Sequence, residues 1–409
     1  MSSDMNSIGI IGGSLAGLRS AEALRSEGFA GAITMVSAES HLPYDRPPLS
    51  KQVLRGAWPA EQVQLATPNR LTELDVTFRG GVRATAFDAE SLTVTLADDA
   101  QMQFDGVIIA TGAQLRHLPG TQDREHIYGL RTLDDSLVLR DALAALTPDS
   151  NVVLVGAGFI GQEIATVAAE LGHRVTLVEG MSLPLLHIVG ESVAATLTAL
   201  PSLKGATLEL GVGVKQIGPA TSDALAGVLE LNDGRSINAD LIVVGIGVTP
   251  CTDWLEGSGL TIENGVVAND RLMAAPKVAV AGDVARFHWI APGRDEHVRI
   301  EHWQMAADGG AHAARSLLAG VHAERFSPVP YFWSDQWGKK IQAVGRPDSN
   351  DDVVFVDGPD DEGRFVALYK RGNLLGAALG VSRPAKVMGY RALLERGASF
   401  DEAIEHARS

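Results

Sequence analysis

A glycine-rich segment with an acidic residue downstream has the spacing of a dinucleotide-binding turn. Gly156, Gly158 and Gly161 follow the apolar run 151–155, and Glu179 closes the next apolar run. Glycines at such a turn let backbone N–H groups and the positive end of a helix approach a pyrophosphate. An acid at the end of the next strand accepts hydrogen bonds from a ribose diol and repels a 2′-phosphate. Because no Arg or Lys follows Glu179 within five residues, the segment predicts binding of NADH rather than NADPH. The candidate residues of this turn are Gly156, Gly158, Phe159, Ile160, Gly161 and Glu179.

A related turn lies 144 residues earlier, at 12–17. It departs from the pattern because Ser14 stands where the middle glycine is expected. Serine is small, so we expect a second nucleotide site here with altered phosphate contacts. Glu39, three residues past the apolar run that ends at Val36, is the candidate ribose acid, and the alternative is a solvated charge in a loop. The candidate residues of this turn are Gly12, Ser14, Leu15, Ala16 and Glu39.

The elements around both turns repeat in the order strand, turn, helix, strand. The first unit is predicted from a strand at 8–11, a helix at 18–26 and a strand at 32–36. The second is predicted from a strand at 151–155, a helix to Leu171 and a strand at 174–178. Further strands are predicted at 93–96, 101–109, 206–210, 226–231, 237–244 and 278–281, with a helix at about 304–319. Small-residue segments that end three of these strands are further candidates for cofactor binding: Ala110, Thr111 and Gly112; Gly245, Ile246 and Gly247; Gly282 and Asp283.

Beyond Gly320 the pattern changes to aromatic residues followed by alternating strands. Strands are predicted at 353–356, 365–369 and 374–379, and the segment 386–396 is amphipathic. We therefore predict an α/β chain with two Rossmann-like dinucleotide-binding domains and a C-terminal α+β domain. Two facing nucleotides have a chemical use when one is a flavin and the other a nicotinamide, since hydride passes between them at van der Waals distance.

The composition argues against several classes of function and of site. The 409 residues carry a net charge of -16, which argues against a general binder of nucleic acids or anionic membranes. Cys251 is the only cysteine, so a single chain has no internal disulfide, no Cys-x-x-Cys pair and no thiolate metal cluster, and we predict no metal site. No signal peptide or long apolar run is visible, and the expected location is the cytoplasm.

Eight short segments carry motifs that occur together in one enzyme family. They are His41 to Lys51, Ala110 to Gly112, Leu130 to Asp135, Gly156 to Glu163, Gly245 to Pro250, Ala281 to Ala285, Arg299 to Trp303 and Pro330 to Gln336. In order and spacing they resemble the FAD-dependent NADH:ferredoxin reductases of bacterial oxygenase systems, the putidaredoxin reductase and biphenyl dioxygenase reductase group. The resemblance covers essentially the whole chain. The glycine turns are shared with the wider flavoprotein disulfide-reductase superfamily.

The resemblance implies a three-domain fold. The FAD domain would comprise 1–112 and 242–320, the NADH domain 113–241 and the C-terminal domain 321–409. Lys51 would lie near flavin N5 and pair with Glu163, and Trp333 would face the isoalloxazine. The residues that the resemblance assigns to holding FAD are Arg46, Val82, Arg131, Asp283 and Trp303.

Four of these roles have a plainer alternative. Lys51 could be a surface lysine after a Pro-Pro turn, Glu163 a partner of the helix dipole, and Trp333 a core residue. Asp283 could cap a helix, which is compatible with binding a ribityl hydroxyl. Two further departures from the family pattern are Gly309, where relatives usually have Gln, and His187, where an arginine is common.

The electron acceptor is inferred from cysteine and charge. Branches that reduce disulfides or peroxides need a thiol near the flavin, and the segment 40–51 has none. The resemblance therefore implies a protein acceptor, a 2Fe-2S ferredoxin that feeds a haem monooxygenase or a ring-hydroxylating dioxygenase. Residues 363–396 hold seven basic side chains against one acid, which predicts a basic docking patch for an acidic ferredoxin. The alternative is that these bases balance the seven acids of 348–362.

Two other functions stay open at this point. One is an NADH oxidase or quinone-type reductase that passes electrons to a small molecule. The other is a binding or signalling flavoprotein of the apoptosis-inducing-factor type, which usually carries a targeting segment.

Overall fold

The computed structural model describes residues 5–121, 124–222 and 224–408. These residues divide into two compact units. Unit 1 falls within the ranges Met1–Asp45, Val63–Gln114 and Thr249–Pro330. Unit 2 falls within Arg46–Gln62, Leu115–Val248 and Tyr331–Ser409.

The strands are numbered in chain order. They are β1 (Ser7–Ile11), β2 (Ala32–Val36), β3 (Val76–Arg79), β4 (Ala84–Asp88), β5 (Thr93–Leu96), β6 (Gln101–Gln103), β7 (Gly106–Ile109), β8 (Ala113–Leu115), β9 (Ile127–Tyr128), β10 (Asn151–Val155), β11 (Arg174–Glu179), β12 (Thr207–Leu210), β13 (Val214–Ile217), β14 (Gly227–Leu231), β15 (Ser236–Ala239), β16 (Leu241–Val244), β17 (Val248–Pro250), β18 (Val266–Ala268), β19 (Met273–Ala275), β20 (Val278–Val280), β21 (Ala285–Ala291), β22 (Arg294–Val298), β23 (Tyr331–Gln336), β24 (Lys339–Gly345), β25 (Asp352–Asp357), β26 (Phe365–Arg371) and β27 (Leu374–Val381).

The α-helices are numbered in the same way. They are α1 (Leu15–Ser26), α2 (Pro68–Glu73), α3 (Leu133–Ala145), α4 (Phe159–Glu170), α5 (Leu186–Val189), α6 (Glu191–Leu203), α7 (Trp303–Ala319), α8 (Pro384–Gly389), α9 (Arg391–Glu395) and α10 (Phe400–Arg408). Across the described ranges, no helix has both the length and the apolar character that crossing a membrane requires.

Unit 1 is built on a six-stranded sheet in the order β19-β20-β7-β1-β2-β3. All neighbours pair parallel except β19 and β20. The central strands β1 and β7 are apolar except for Ser7 at the start of β1, and they are buried on both faces, as parallel strands covered by helices are. Helices α1 and α7 pack closely, because a Cβ on Gly310 would lie only 2.3 Å from the carbonyl oxygen of Ala16.

Unit 2 contains two main sheets. The first is parallel, in the order β12-β11-β10-β16-β9, and the antiparallel sheet β13-β14-β15 packs its apolar side chains against it. The second is antiparallel, in the order β23-β24-β27-β26-β25, and belongs to the C-terminal part of the chain. The predicted fold class, α/β with two Rossmann-like regions and a C-terminal α+β region, is confirmed.

Two strand predictions were wrong in the same way. The run 101–109 forms two strands, β6 and β7, and the run 237–244 forms β15 and β16. In each case an aspartate separates a strand of an antiparallel sheet from a strand of the parallel sheet. The carboxylate of Asp105 accepts hydrogen bonds from the backbone N–H groups of Asn6 and Ser7, at 2.8 and 3.0 Å. That of Asp240 accepts from Asn151 N–H at 2.8 Å.

Asp105 thus binds the start of β1 and Asp240 the start of β10, and at each aspartate the chain passes from one sheet into another. The local sequence does not reveal that each predicted strand is divided in two, because the partner of each carboxylate lies about 90 to 100 residues away in the chain.

Two other differences are smaller. The amphipathic segment 386–396 lies mainly in two short helices, α8 and α9, rather than one. The hairpin of β21 and β22 and the helix α10 have no counterpart among the predicted elements.

Candidate nucleotide-binding sites

The glycine-rich turn of unit 2 joins β10 to α4. Gly156 has a positive φ of 100°, and a Cβ there would lie 2.3 Å from the carbonyl oxygen of Gly245. A Cβ on Gly161 would lie 2.3 Å from the carbonyl oxygen of Gly156. The protein itself therefore requires these two glycines. The contact also brings the candidate segment that starts at Gly245 next to the turn.

Gly158 differs from its two neighbours in the motif. Its φ of -68° is open to any residue, and a Cβ would meet no protein atom within 4 Å. Nothing in the fold therefore requires a glycine here. The open space lies at the N-terminus of α4, where backbone N–H groups favour an anion. The geometry fits a bound pyrophosphate.

Glu179 lies at the end of β11, beside this turn. Its carboxylate accepts hydrogen bonds from Ala157 N–H at 2.9 Å and from Met181 N–H at 3.0 Å. These two donors hold the acid at the edge of the glycine turn, where the motif requires a ribose-binding group.

The glycine-rich turn of unit 1 follows the same plan. Gly12 has a φ of 126°, and a Cβ there would lie 2.0 Å from the carbonyl oxygen of Ala110. Ser14 is the N-cap of α1, which begins at Leu15, with a φ of -107° that suits a side chain. It therefore occupies the position equivalent to Gly158, the one place in the motif where the backbone does not require glycine.

Most candidate residues of unit 1 lie along one edge of its sheet. Strands β1, β7 and β20 are parallel, so the residues that follow them meet at their carboxyl ends. A Cβ on Gly282 would lie 3.1 Å from the Cβ of Ala16, and the Thr111 hydroxyl donates to Cys251 O at 2.9 Å. The candidates that the structure brings to this edge are Gly12, Ser14, Leu15, Ala16, Ala110, Thr111, Gly112, Gly282 and Asp283.

Glu39 is held by a residue that the sequence reasoning did not single out. The Tyr44 hydroxyl donates a hydrogen bond to the Glu39 carboxylate. Val82 lies beside the same loop, because its N–H donates to Ser37 O at 3.0 Å. The Trp303 indole donates to the carboxylate of Asp45 at 2.6 Å, which fixes the start of α7.

Lys51 and Glu163 form an ion pair in unit 2, with 2.7 Å between Lys51 Nζ and Glu163 Oε2. Glu163 is 2 % exposed and Lys51 is 8 % exposed. The plainer interpretation of Lys51 as a surface lysine is therefore wrong. Sequence reasoning missed the two other donors to this carboxylate, the hydroxyls of Ser50 and Ser334.

Trp333 lies on the other face of β23 from this carboxylate. Successive side chains of a strand point to opposite faces, and Phe332, Ser334 and Gln336 are the buried residues of β23. Since Ser334 reaches Glu163, Trp333 is directed away from it and stacks on Tyr331 with ring centroids 5.9 Å apart. Its role beside a flavin stays a prediction.

Arg46 and Arg131 lie together in unit 2. The Arg46 guanidinium donates to the carbonyl oxygen of Arg131 at 2.6 Å. Asp135 accepts from the backbone N–H groups of Arg131 and Thr132, and its bond from Thr132 is part of the N-terminal capping box of α3. His187, the departure noted above, lies exposed in the short helix α5.

The basic residues of 363–396 are largely paired with carboxylates. Arg371 binds Asp351, Arg383 and Lys386 bind Asp357, and Arg364 binds Asp360. Hydrogen bonds from Lys386 and Arg383 lower the pKa of Asp357, and bonds from Arg364 lower that of Asp360. The acids of 348–362 thus balance much of the positive charge, as the alternative interpretation expected.

Two protein families match this chain. Residues 6–310 match the family described as "Pyridine nucleotide-disulphide oxidoreductase", and residues 331–406 match one described as "Reductase C-terminal". The chain belongs to the pyridine nucleotide-disulphide oxidoreductase family. As a member of it, the protein is an FAD-dependent oxidoreductase that uses NAD(H).

Relatives in this family cover nearly the whole chain. Rhodocoxin reductase of Rhodococcus erythropolis is 34 % identical over 95 % of this chain and 89 % of its own. Putidaredoxin reductase CamA of Pseudomonas putida is 31 % identical over 92 % of this chain and 89 % of its own. The resemblance stated from sequence motifs is confirmed.

Solved structures agree. The structure of a covalent putidaredoxin reductase–putidaredoxin complex matches with a TM-score of 0.89 and 28 % identity, over 98 % of both chains. The structure of Fdr9 matches with a TM-score of 0.87 and 35 % identity, over 98 % of this chain and 97 % of that one.

Proposed function

We propose that the protein is a ferredoxin reductase that passes electrons from NADH through FAD to a 2Fe-2S ferredoxin serving an oxygenase. The observation that carries the proposal is the match over nearly the whole chain to reductases named for such partners, rhodocoxin and putidaredoxin. The cysteine count supports it, since Cys251 lies outside 40–51 and no thiol stands there to relay electrons.

NADH binds at the turn of unit 2 in this proposal. The open space at Gly158 and the N-terminus of α4 take the pyrophosphate, with Phe159 and Ile160 supplying backbone N–H groups. Glu179 accepts from the adenosine ribose, and its negative charge disfavours a 2′-phosphate. The strand-end residues Gly245, Ile246 and Gly247 border the same turn.

The residues proposed to hold FAD are those that the family resemblance assigns. The edge of the six-stranded sheet supplies backbone groups at Gly12, Ala110 and Gly282, and Glu39 is the ribose acid. When bound, FAD supplies the conversion of a two-electron hydride into single electrons. The remaining residues assigned to it are Ser14, Leu15, Ala16, Arg46, Val82, Thr111, Gly112, Arg131, Asp283 and Trp303.

The reaction centre would use the buried pair of Lys51 and Glu163, and the family resemblance adds Trp333, which lies on the opposite face of β23 from the Glu163 carboxylate. The carboxylate of Glu163 pairs with the buried Lys51 ammonium group, and the hydroxyls of Ser50 and Ser334 donate hydrogen bonds to the same carboxylate. A cation held in this way would stabilise negative charge that develops nearby. Trp333 would offer an aromatic face.

Docking of the ferredoxin would use basic side chains of the C-terminal sheet region. Lys386 and Arg396 are the most exposed of those that form ion pairs, at 61 and 55 % of their side chains. Exposed pairs are weak in water, so their basic members would be free to exchange partners with an acidic protein. Because long-range attraction between charges is screened by salt, docking would depend on ionic strength.

Steady-state kinetics of the FAD-loaded enzyme test the proposal. Reduction of ferricyanide should be faster with NADH than with NADPH, and reduction of cytochrome c should require an added 2Fe-2S ferredoxin. Rapid oxygen consumption with NADH in the absence of ferredoxin would instead favour a small-molecule acceptor. A rate of ferredoxin reduction that does not change with salt would refute docking on the basic side chains.

A further inference from the structure

Helix α4 carries a row of polar contacts on the face that meets β23 and the loop after it. Gln162, Glu163 and Thr166 are all buried, with exposed fractions of 1, 2 and 7 %. Thr166 Oγ1 accepts from Trp337 N–H at 2.9 Å, and Gln162 Oε1 accepts from the Trp337 indole at 2.7 Å. Trp337 therefore binds the helix through both its backbone and its side chain.

Trp337 lies in an unusual backbone conformation. It forms the two-residue loop of the β23–β24 hairpin with Gly338, between the register partners Gln336 and Lys339. Both loop residues have positive φ, 54° for Trp337 and 72° for Gly338. Such loops favour Asn-Gly, and a bulky residue with positive φ is a genuine outlier. Backbone strain of this kind points to a role for the side chain that is held there.

The contacts of Gln162 continue to the glycine turn. Its Nε2 donates to the carbonyl oxygen of Ala157 in a longer contact of 3.4 Å. The N–H of the same residue, Ala157, donates to Glu179 at 2.9 Å. A chain of hydrogen bonds thus runs from the Trp337 indole through Gln162 and Ala157 to the candidate ribose acid.

We propose that Trp337 and Gln162 are positioning residues for NAD(H), which set the orientation of the glycine turn from the C-terminal hairpin. They touch no ligand in this proposal, and they act by fixing Ala157 and the first turn of α4. The inference rests on the proposed placement of NADH at 156–161. Without the hydrogen bonds from Trp337 through Gln162 to Ala157, the glycine turn would be less fixed. Its N–H groups and Glu179 would then no longer be held in the arrangement that binds one dinucleotide.

Two variants test the inference on the FAD-loaded enzyme. Trp337→Phe keeps an aromatic ring and the backbone contact to Thr166 but removes the indole donor. Gln162→Met keeps the length of the side chain and removes both of its hydrogen bonds. The dissociation constant of NAD⁺, measured by calorimetry, should rise about three- to tenfold in each, because either change breaks the chain of hydrogen bonds that leads to Ala157. The double variant should be no weaker than Gln162→Met alone, because both changes interrupt the same chain of contacts.

Steady-state kinetics distinguish a role in positioning the glycine turn from a general loss of folding. The KM for NADH should rise with the dissociation constant, while kcat with ferricyanide stays within about twofold. Glu170→Gln is the matched control, since it removes an exposed ion pair with Arg55 at the far end of the same helix. It should leave NAD⁺ binding unchanged. Loss of thermal stability in Trp337→Phe and Gln162→Met with unchanged NAD⁺ binding would overturn the inference.

The variant Gly158→Ala distinguishes failure of the positioning role from failure of the proposed NADH site. If Gly158→Ala weakens NAD⁺ binding but Trp337→Phe and Gln162→Met do not, the dinucleotide lies at the turn and the positioning role is wrong. If Gly158→Ala also leaves binding unchanged, NAD(H) does not bind at this turn, and the proposed placement fails first.

Discussion

The hydroxyl of Ser334 lies 2.6 Å from Oε1 of Glu163, although 171 residues separate them in the chain. The other oxygen of this buried carboxylate accepts from Lys51 Nζ at 2.7 Å. One acid therefore joins three segments of unit 2: helix α4, the segment 46–62 and strand β23. Its loss should affect stability as well as the chemistry proposed for Lys51.

Glu163→Gln should lower the free energy of unfolding by about 3 kcal/mol or more, because it leaves the buried Lys51 ammonium without a carboxylate. Urea unfolding of the FAD-loaded enzyme, followed by circular dichroism, measures the loss. Glu170→Gln removes a pair between the same two segments, but both partners are nearly half exposed, and it should cost at most about 1 kcal/mol. Equal losses in the two variants would contradict the buried pair.

Gly158→Ala should raise the KM for NADH about tenfold or more, because a methyl group would fill the space proposed for the pyrophosphate. The thermal midpoint should stay unchanged, since the new Cβ meets no protein atom within 4 Å. Gly218→Ala serves as a control, because its Cβ would make an ordinary 3.4 Å contact with Val228 O, away from the turn. An unchanged KM in Gly158→Ala would argue against the site.

Gly309→Ala should raise the free energy of unfolding by about 0.5 to 1 kcal/mol, because alanine restricts the unfolded chain and favours helix. The site has room, since a Cβ would lie 3.7 Å from the Phe326 ring. Gly310→Ala is the opposite case, with a Cβ only 2.3 Å from the carbonyl oxygen of Ala16. Thermal unfolding of both variants checks the contrast, and stabilisation by Gly310→Ala would show that α1 and α7 pack less closely.

Acid should weaken the C-terminal helix α10 through Glu402. The backbone N–H of Ser399, together with Arg396 and the Ser399 hydroxyl, lowers the pKa of Glu402 from 4.5 to about 2. Because the folded pKa lies below the unfolded one, this stabilisation is present above about pH 4.5 and is lost as the pH falls towards 2. Thermal midpoints measured across that range should fall less steeply in Glu402→Gln than in the wild type. Parallel curves would contradict the lowered pKa.

The sequence by itself determined the local features of the nucleotide sites. A side chain at Gly12, Gly156 or Gly161 would collide with a backbone carbonyl oxygen in or beside the turn. Glycine is therefore required at these positions, and their spacing is visible in the sequence. Glu179 is the last residue of its strand, and its distance from the glycine turn is therefore visible in the sequence as well. The repeated order of strand, turn, helix and strand also required no structure, and it predicted the fold class.

Only the tertiary structure decided which distant side chains meet. The contacts of Ser50, Ser334 and Trp337 cannot be found from the sequence, because a hydroxyl or indole becomes a partner of Glu163 or Gln162 only when its segment packs on α4. The breaks at Asp105 and Asp240 were hidden for the same reason. Only the structure also showed that basic residues of 363–396 are paired with carboxylates. Coulomb attraction depends on the distance between charges in space, and a count of charges along the chain does not give that distance.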